Sequence, residues 1–217
     1  MPIESLQKKR KRMAHIIFFL KQEYPNAHCS LEYKSSFQLL VSTILSAQCT
    51  DKRVNKVTQT LFIKYPNPRD FANLPLELIK KEIYSTGFYK NKAKSIKGMA
   101  AAVVNEYGGE LPQTLNEMVK LPGVGRKTAN VVLGNINGIP SLVVDTHVTR
   151  ITNILKFVNT KNAVKIEKNL EKITKKEDWT LFAHLLIDHG RAVCIANRPQ
   201  CHHCVIAEFC PSAKGVN

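Results

Sequence analysis

The sequence predicts an all-α protein. In nearly every apolar run, large apolar residues recur three and four positions apart, which is the period of an amphipathic helix. Residues typical of helix caps, together with Gly and Pro, separate these runs. Only SLVV at 141–144 hints at a strand, and no other segment alternates between apolar and polar residues. Stacked short helices are therefore the expected architecture.

Apolar stripes give the order of the helices in the first two thirds of the chain. Candidate caps begin two of them, Ser35 or Ser36 in one case and Thr50 or Asp51 in the other. Gly108 ends a third. The stripes run over 13–24, 37–45, 54–65, 76–83, 96–107, 114–120 and 129–136.

The last third of the chain contains three more stripes. Helical periodicity resumes at Asp145, a candidate helix N-cap, after Gly138 and Pro140. The stripes cover 148–155, 166–173 and 179–186. The longest N-terminal apolar run, 16–20, is too short for a signal-peptide core or a membrane-spanning helix, so no membrane partner is expected.

Charge gives the first indication of function. The 217 residues include 32 Lys and Arg against 17 Asp and Glu, which gives a net charge of +15. A chain of this length can bury the cores of one large or two modest domains. The excess charge favours a polyanionic partner, with nucleic acid ahead of an anionic membrane; a solvated basic surface stays open as the alternative.

The segment LPGVGRKTANVVL at 121–133 carries the clearest motif. A tight turn with positive φ would explain both Gly123 and Gly125, and Pro122 would fix the entry to it. The spacing fits neither a nucleotide-binding G-x-x-x-x-G-K-[ST] loop nor G-x-G-x-x-G. The pattern helix, Pro-Gly-Val-Gly, helix is typical of a helix-hairpin-helix, although an ordinary interhelical turn stays open.

Such a hairpin binds the phosphate backbone without reading sequence, because backbone N–H groups at a helix start attract anions. Lys127, just inside the second helix, is either a phosphate contact or a nucleophile, and the motif does not decide. The predicted hairpin contacts to DNA are Gly123, Val124, Gly125, Arg126 and Thr128.

Four of the six cysteines cluster near the C-terminus. They form C-x6-C-x2-C-x5-C at Cys194, Cys201, Cys204 and Cys210, whereas Cys29 and Cys49 lie alone in or beside apolar segments. Four thiolates within 17 residues indicate a metal site. Spacing alone leaves tetrahedral zinc and an iron–sulfur cluster equally open, with His202 and His203 as alternative zinc ligands.

Together these motifs resemble the endonuclease III family of DNA glycosylases. The resemblance rests on LPGVGRKTANVVL, on VDTHVTRI with Asp145 eighteen residues after Lys127, and on HGRAVC followed by the other three cysteines. SFQLLVSTILSAQCTD and STGFYKNKAKSI also look like family segments, so the resemblance covers nearly the whole chain.

The resemblance implies the helix-hairpin-helix glycosylase fold. A six-helix barrel containing the hairpin would cover 28–138. A discontinuous domain of 1–27 and 139–217 would hold a [4Fe–4S] cluster on the four clustered cysteines, with a groove for DNA between the two domains.

The resemblance also implies a bifunctional enzyme that removes oxidised pyrimidines from duplex DNA and nicks abasic sites. Lys127 would attack C1′ of the deoxyribose, expel the base, and form a Schiff base that undergoes β-elimination. A lysine amine is almost wholly protonated at neutral pH, so the nucleophile must first lose a proton. Asp145 would stabilise the developing positive charge and assist that transfer.

Four further DNA contacts are expected. Gln48 matches the family residue that enters the space left by the flipped nucleotide, and Phe88 matches a wedge position where relatives often carry leucine. His147 and Arg150, in the helix after Asp145, would contact phosphates. The structural alternatives are a polar helix terminus for Gln48, a core position for Phe88, and surface or capping roles for His147 and Arg150.

Two other functions stay open at this stage. A monofunctional mismatch glycosylase of the same superfamily would lack a lysine at the hairpin position, which argues against it here. A non-catalytic DNA-binding protein would have no need of Asp145 at the family spacing. The basic run KKRKR at 8–12 also suits nuclear import, but we expect a monomeric, nucleoid-associated protein of the bacterial cytoplasm.

Overall fold

A computed structural model describes residues 4–136 and 138–213. Every regular element in those ranges is helical. No helix in them combines the length and apolarity needed to cross a membrane. The α-helices are α1 Leu6–Glu23, α2 Ser36–Ser46, α3 Asp51–Lys64, α4 Pro68–Asn73, α5 Leu76–Glu82, α6 Tyr89–Tyr107, α7 Leu115–Met118, α8 Arg126–Asn135, α9 Thr146–Ile154, α10 Ala163–Glu171 and α11 Trp179–Ala192. Single 3-10 turns cover Tyr84–Thr86, Lys176–Asp178, Cys201–His203 and Ala207–Phe209.

The predicted caps begin and end the helices as expected. The Ser35 hydroxyl accepts a hydrogen bond from the first turn of α2, and the Thr50 hydroxyl does the same for α3. Gly108, at φ 66°, closes α6 in the left-handed conformation. Helix α4 was not predicted from the sequence; it is only six residues long but has a complete capping box between Asn67 and Asp70.

The chain divides into two compact units, and the second unit is Cys29–Ile139. It contains α2 to α8 around one apolar core. Helix α4 packs along α6, and α2 packs against α8. Phe71 of α4 is fully buried, with its ring centroid 5.5 Å from that of Phe37 and 6.1 Å from that of Tyr65. Because α2 packs against α8, the helix that follows the hairpin is fixed to the core of this unit.

The first unit is Met1–His28 with Pro140–Asn217. Helix α11 packs on α1 and α9. Arg12 of α1 ties the unit together, because its guanidinium pairs with Glu4, donates to the carbonyls of Leu155 and Phe209, and lies over the ring of Phe157. One side chain thereby connects α1 to the end of α9 and to the cysteine segment.

The strand hinted at by SLVV is absent from the described residues. Residues 141–144 are buried but not regular. The Thr180 hydroxyl accepts from the N–H of Ser141 at 3.3 Å and lies 3.2 Å from its carbonyl oxygen. A helix side chain therefore satisfies backbone groups at the start of this segment that a neighbouring strand would otherwise pair.

Candidate functional site

The hairpin turns on one glycine rather than two. Gly123 has φ 75°, and a Cβ there would lie 2.4 Å from Cβ of Ser95. Gly125 has φ −87° and ψ 170°, an ordinary extended conformation, so the expectation of positive φ there was wrong. Gly125 is instead the N-cap of α8, and it is open around its Cα. The first glycine makes the turn, and the second leaves space in front of the helix.

Val124 lies between the two glycines and serves the turn. Its side chain is buried in the core, and its N–H donates to the carbonyl of Leu121 at 3.0 Å. This internal bond closes the hairpin. A contact between Val124 and phosphate stays a prediction.

The start of α8 presents polar groups outward. Gly125 supplies no capping side chain, and a helix gives its first-turn N–H groups no internal acceptor. Arg126 and Lys127 are exposed and Thr128 is half-buried. An anion at this end of the helix would meet N–H groups, the positive end of the helix dipole and two cationic side chains. Lys127 is the second residue of the helix.

Asp145 begins α9 in a different way. Its carboxylate Oδ1 accepts a hydrogen bond of 2.8 Å from the N–H of Val148, which confirms the predicted cap. The side chain is half-exposed. One carboxylate oxygen is thus fixed by the helix. Asp145 belongs to the first unit, whereas Lys127 belongs to the second.

His147 and Arg150 face a protein neighbour. The Arg150 guanidinium donates to the carbonyl oxygen of Cys194 at 2.5 Å, and its Nη1 lies 3.7 Å from the Cys194 sulfur. Its Nη2 lies 3.4 Å from Nδ1 of His147. Arg150 therefore connects the helix begun by Asp145 with the first clustered cysteine. The phosphate contacts expected of both residues stay predictions.

The four clustered cysteines line one cavity of about 190 Å³. Its other lining is mainly apolar. Burial raises the pKa of Cys194 and Cys210, and it raises the pKa of Cys204 to about 11. Neighbouring thiols act in the same direction. No group of His, Cys, Asp or Glu in the described ranges is arranged to hold a metal ion.

No set of these side chains stands ready to hold a single ion, but four cysteines are the ligand set of a [4Fe–4S] cluster, whose core is larger than one ion. The four cysteines line a common cavity, and cysteine thiols lose their protons when they bind a metal. Spacing alone leaves zinc and a cluster open, whereas the structure adds that all four cysteines line one cavity.

His189 also lines this cavity and was not predicted as a site residue. It is almost fully buried, and burial lowers its pKa to about 4, so the ring is neutral at pH 7. Its Nδ1 lies 3.2 Å from the Tyr24 hydroxyl, and its Nε2 lies 3.6 Å from the Cys204 sulfur. With Tyr24 donating to Nδ1, the remaining N–H points at the sulfur. A histidine five residues before Cys194 was the signal in the sequence.

Gln48 and Phe88 share an unusual backbone. They and Lys156 are the non-glycine residues with positive φ in the described chain, at 53° for Gln48 and 48° for Phe88. Gln48 is exposed, and the Phe88 ring is 64% exposed. A core role for Phe88 is thereby excluded. Left-handed backbone at non-glycine residues concentrates at functional sites.

Known proteins match the chain over most of its length. The family model for the HhH-GPD superfamily of base excision DNA repair proteins matches residues 41–176. Endonuclease III of Synechocystis sp. is 46% identical over 213 residues, which are 98% of this chain and 97% of that relative. The chain belongs to the endonuclease III family.

Solved structures agree with this membership. A trapped endonuclease III–DNA covalent intermediate, an estranged-adenine complex, is 42% identical with a TM-score of 0.89, covering 94% of this chain and 97% of that one. A thermostable thymine-DNA glycosylase is 25% identical with a TM-score of 0.81, covering 97% and 99%. The fold of this family member is therefore the helix-hairpin-helix glycosylase fold.

The two hairpin glycines should respond differently to alanine. Gly123→Ala should lower the free energy of unfolding by about 1–3 kcal/mol, because it forces positive φ on a side chain and a clash with Ser95. Gly125→Ala, with open space and negative φ, should cost less than about 1 kcal/mol. Urea unfolding of both variants tests this. Equal losses would show that the turn does not depend on Gly123.

Two substitutions at Asp145 separate the contribution of its capping hydrogen bond from that of its negative charge. Asp145→Ala should lower the free energy of unfolding by about 1 kcal/mol, because the N–H of Val148 loses its acceptor. Asp145→Asn keeps an acceptor and should stay close to wild type. Thermal and urea unfolding measure both variants. If the Asn variant were as unstable as the Ala variant, the negative charge and not the hydrogen bond would be the stabilising feature.

Proposed function

We propose that this protein is a bifunctional DNA glycosylase and abasic-site lyase of base excision repair, with Lys127 as its nucleophile. The observation that carries the proposal is an exposed lysine at the second position of α8, behind an uncapped N-terminus. The similar endonuclease III has been trapped as a covalent intermediate with DNA. A lysine amine is the group that forms such a bond with a sugar carbon.

The chemistry assigned to Lys127 is a substitution followed by an elimination. Its neutral amine attacks C1′ of the damaged nucleotide as the C1′–N bond breaks, and the base leaves with that electron pair and gains a proton. Ring opening gives a Schiff base between Nζ and C1′. Loss of a proton from C2′ then expels the 3′ phosphate and nicks the strand.

Asp145 supplies the complementary charge. Its carboxylate is held at the start of α9 by the N–H of Val148. A carboxylate suits stabilisation of positive charge on the sugar, and it can take a proton from the Lys127 amine. Asp145 can serve both as the cap of α9 and in the chemistry, because the hydrogen bond from Val148 uses its Oδ1.

Duplex DNA is held through its backbone and opened at the lesion. The start of α8, with Gly125, Arg126 and Thr128, binds phosphate. Gln48 enters the space of the flipped nucleotide, and Phe88 parts the neighbouring bases. Two exposed side chains on left-handed backbone support this pair of roles. The preferred bases in this proposal are oxidised pyrimidines.

The remaining proposals concern organisation and setting. The unit Cys29–Ile139 is the barrel domain, and the other unit holds a [4Fe–4S] cluster on Cys194, Cys201, Cys204 and Cys210. When bound, the cluster cross-links the C-terminal segment to the end of α11. Since the matched relatives include bacterial enzymes, we assign the protein to the bacterial nucleoid as a monomer on DNA.

Loss of Lys127 should separate binding from chemistry. Borohydride should trap wild-type protein on a duplex with thymine glycol or an abasic site, whereas Lys127→Gln should bind that duplex and give no adduct and no nick. Lys120→Gln is the matched control, because it removes one exposed positive charge from the same hairpin. For that control, the salt dependence of DNA binding should fall by about one charge. Borohydride should still trap it on the duplex.

Asp145→Asn should slow base release more than it slows nicking of a preformed abasic site, where no base has to leave. Trapping and nicking of Lys127→Gln at the wild-type rate would reduce Lys127 to a positioning role. Base release without any adduct in the wild-type protein would favour a monofunctional glycosylase.

Metal analysis tests the cluster. Protein purified without oxygen should be yellow-brown and contain about four iron atoms per chain, as expected for a [4Fe–4S] centre with four thiolates. Cys204→Ser should lower the iron content, because it removes one ligand. Cys49→Ser, outside the cavity, should not. About one zinc and no iron per chain would contradict this assignment.

A further inference from the structure

Lys92 is a buried lysine that binds two carbonyl oxygens. It lies in the first turn of α6 and is 5% exposed. Its ammonium donates hydrogen bonds of 2.7 Å to the carbonyl of Leu45 and of 2.7 Å to that of Thr86. Leu45 is in the last turn of α2, and Thr86 ends the 3-10 turn before α6. One side chain therefore joins the ends of two separate elements.

The two carbonyls need such a partner. The last carbonyls of a helix have no internal donor and lie at the negative end of the helix dipole. A buried ammonium satisfies the carbonyl of Leu45 and complements that dipole. Burial lowers the pKa of Lys92, so its ammonium depends on these two oxygens in place of water.

Each tethered carbonyl is followed closely by a left-handed residue. Gln48 comes three positions after Leu45, and Phe88 comes two positions after Thr86. Both residues are exposed. The carbonyl of Phe88 is itself bound by the N–H of Lys92 at 3.1 Å. The main chain of Lys92 thus holds Phe88 directly, and its ammonium holds Thr86, two residues earlier.

We propose that Lys92 is a positioning residue for duplex opening, which fixes Gln48 and Phe88 so that both enter the DNA at one lesion. The proposal rests on the function proposed above. Lys92 is buried and touches neither the sugar nor the phosphates. It acts by preventing the two exposed left-handed segments from relaxing independently, because such backbone persists only where the surroundings hold it.

Lys92→Met tests this role, since methionine fills the buried volume without donors. Single-turnover base release from thymine glycol in a duplex should fall about tenfold or more, because the two inserted residues lose their alignment. Nicking of an abasic site in a single strand should be unchanged, because it needs Lys127 but no parting of strands. Hydrogen exchange should rise at residues 46–49 and 86–89.

Lys97 provides a matched control in the same helix. Its ammonium also donates to two carbonyls, those of Ala72 at 3.0 Å and Leu74 at 2.5 Å, which lie at the end of α4. Lys97→Met should lower stability by a similar mechanism and leave the ratio of duplex to single-strand rates at the wild-type value. If Lys92→Met does not fold, Lys92→Gln replaces it: a shorter, neutral amide takes the place of the ammonium, so the duplex rate should fall by a smaller factor and the single-strand rate should stay unchanged.

A variant series separates positioning from a general loss. In a Gln48→Ala/Phe88→Ala background, adding Lys92→Met should not slow duplex cleavage further, because the residues it positions are gone. Full additivity, or equal losses on duplex and single strand, would overturn the proposal. Wild-type protein that nicks an abasic site in neither duplex nor single strand would refute the proposed lyase function, and base release from the duplex by the variant series would still decide the role of Lys92.

Discussion

The candidate functional residues in each unit depend on how a helix begins. A helix N-terminus always presents N–H groups without internal acceptors, and the chain resolves this in opposite ways. At α8 the N-cap is Gly125, which brings no side chain, so an anion can complete the helix. At α9 the N-cap is Asp145, whose carboxylate completes it from within. The first helix start is therefore open to an anion, and the second is completed by its own carboxylate.

Three cationic side chains bind backbone carbonyls outside their own helices. Arg12 and Lys92 each bind two such carbonyls from separate elements, and Arg150 binds that of Cys194. A carbonyl left without a donor inside a protein is costly, so each cation fixes the ends it joins. The same chemistry that makes the surface of the chain suitable for DNA thus also braces its interior.

Much of the fold could be predicted, because apolar period and cap residues are local signals. Ser35, Thr50 and Asp145 begin helices as their residue types indicate. The strand prediction at 141–144 was wrong because the backbone of Ser141 is paired with a side chain, that of Thr180, which is 39 residues away. The prediction of positive φ at Gly125 was wrong because glycine is selected both where φ is positive and where space beside the backbone must stay open. Sequence alone does not distinguish these two reasons.

Motifs indicated candidate residues but not the neighbours of those residues. No sequence pattern places Arg150 on Cys194, or His189 between Tyr24 and Cys204, because these contacts bring together residues far apart in the chain. Such contacts have a chemical consequence. Burial favours protonated thiols, whereas N–H donors near sulfur and the positive charge of bound iron favour thiolates. If the proposed cluster binds, its binding and the packing of this segment are linked, since the packed cavity requires the cysteines to ionise together with the metal.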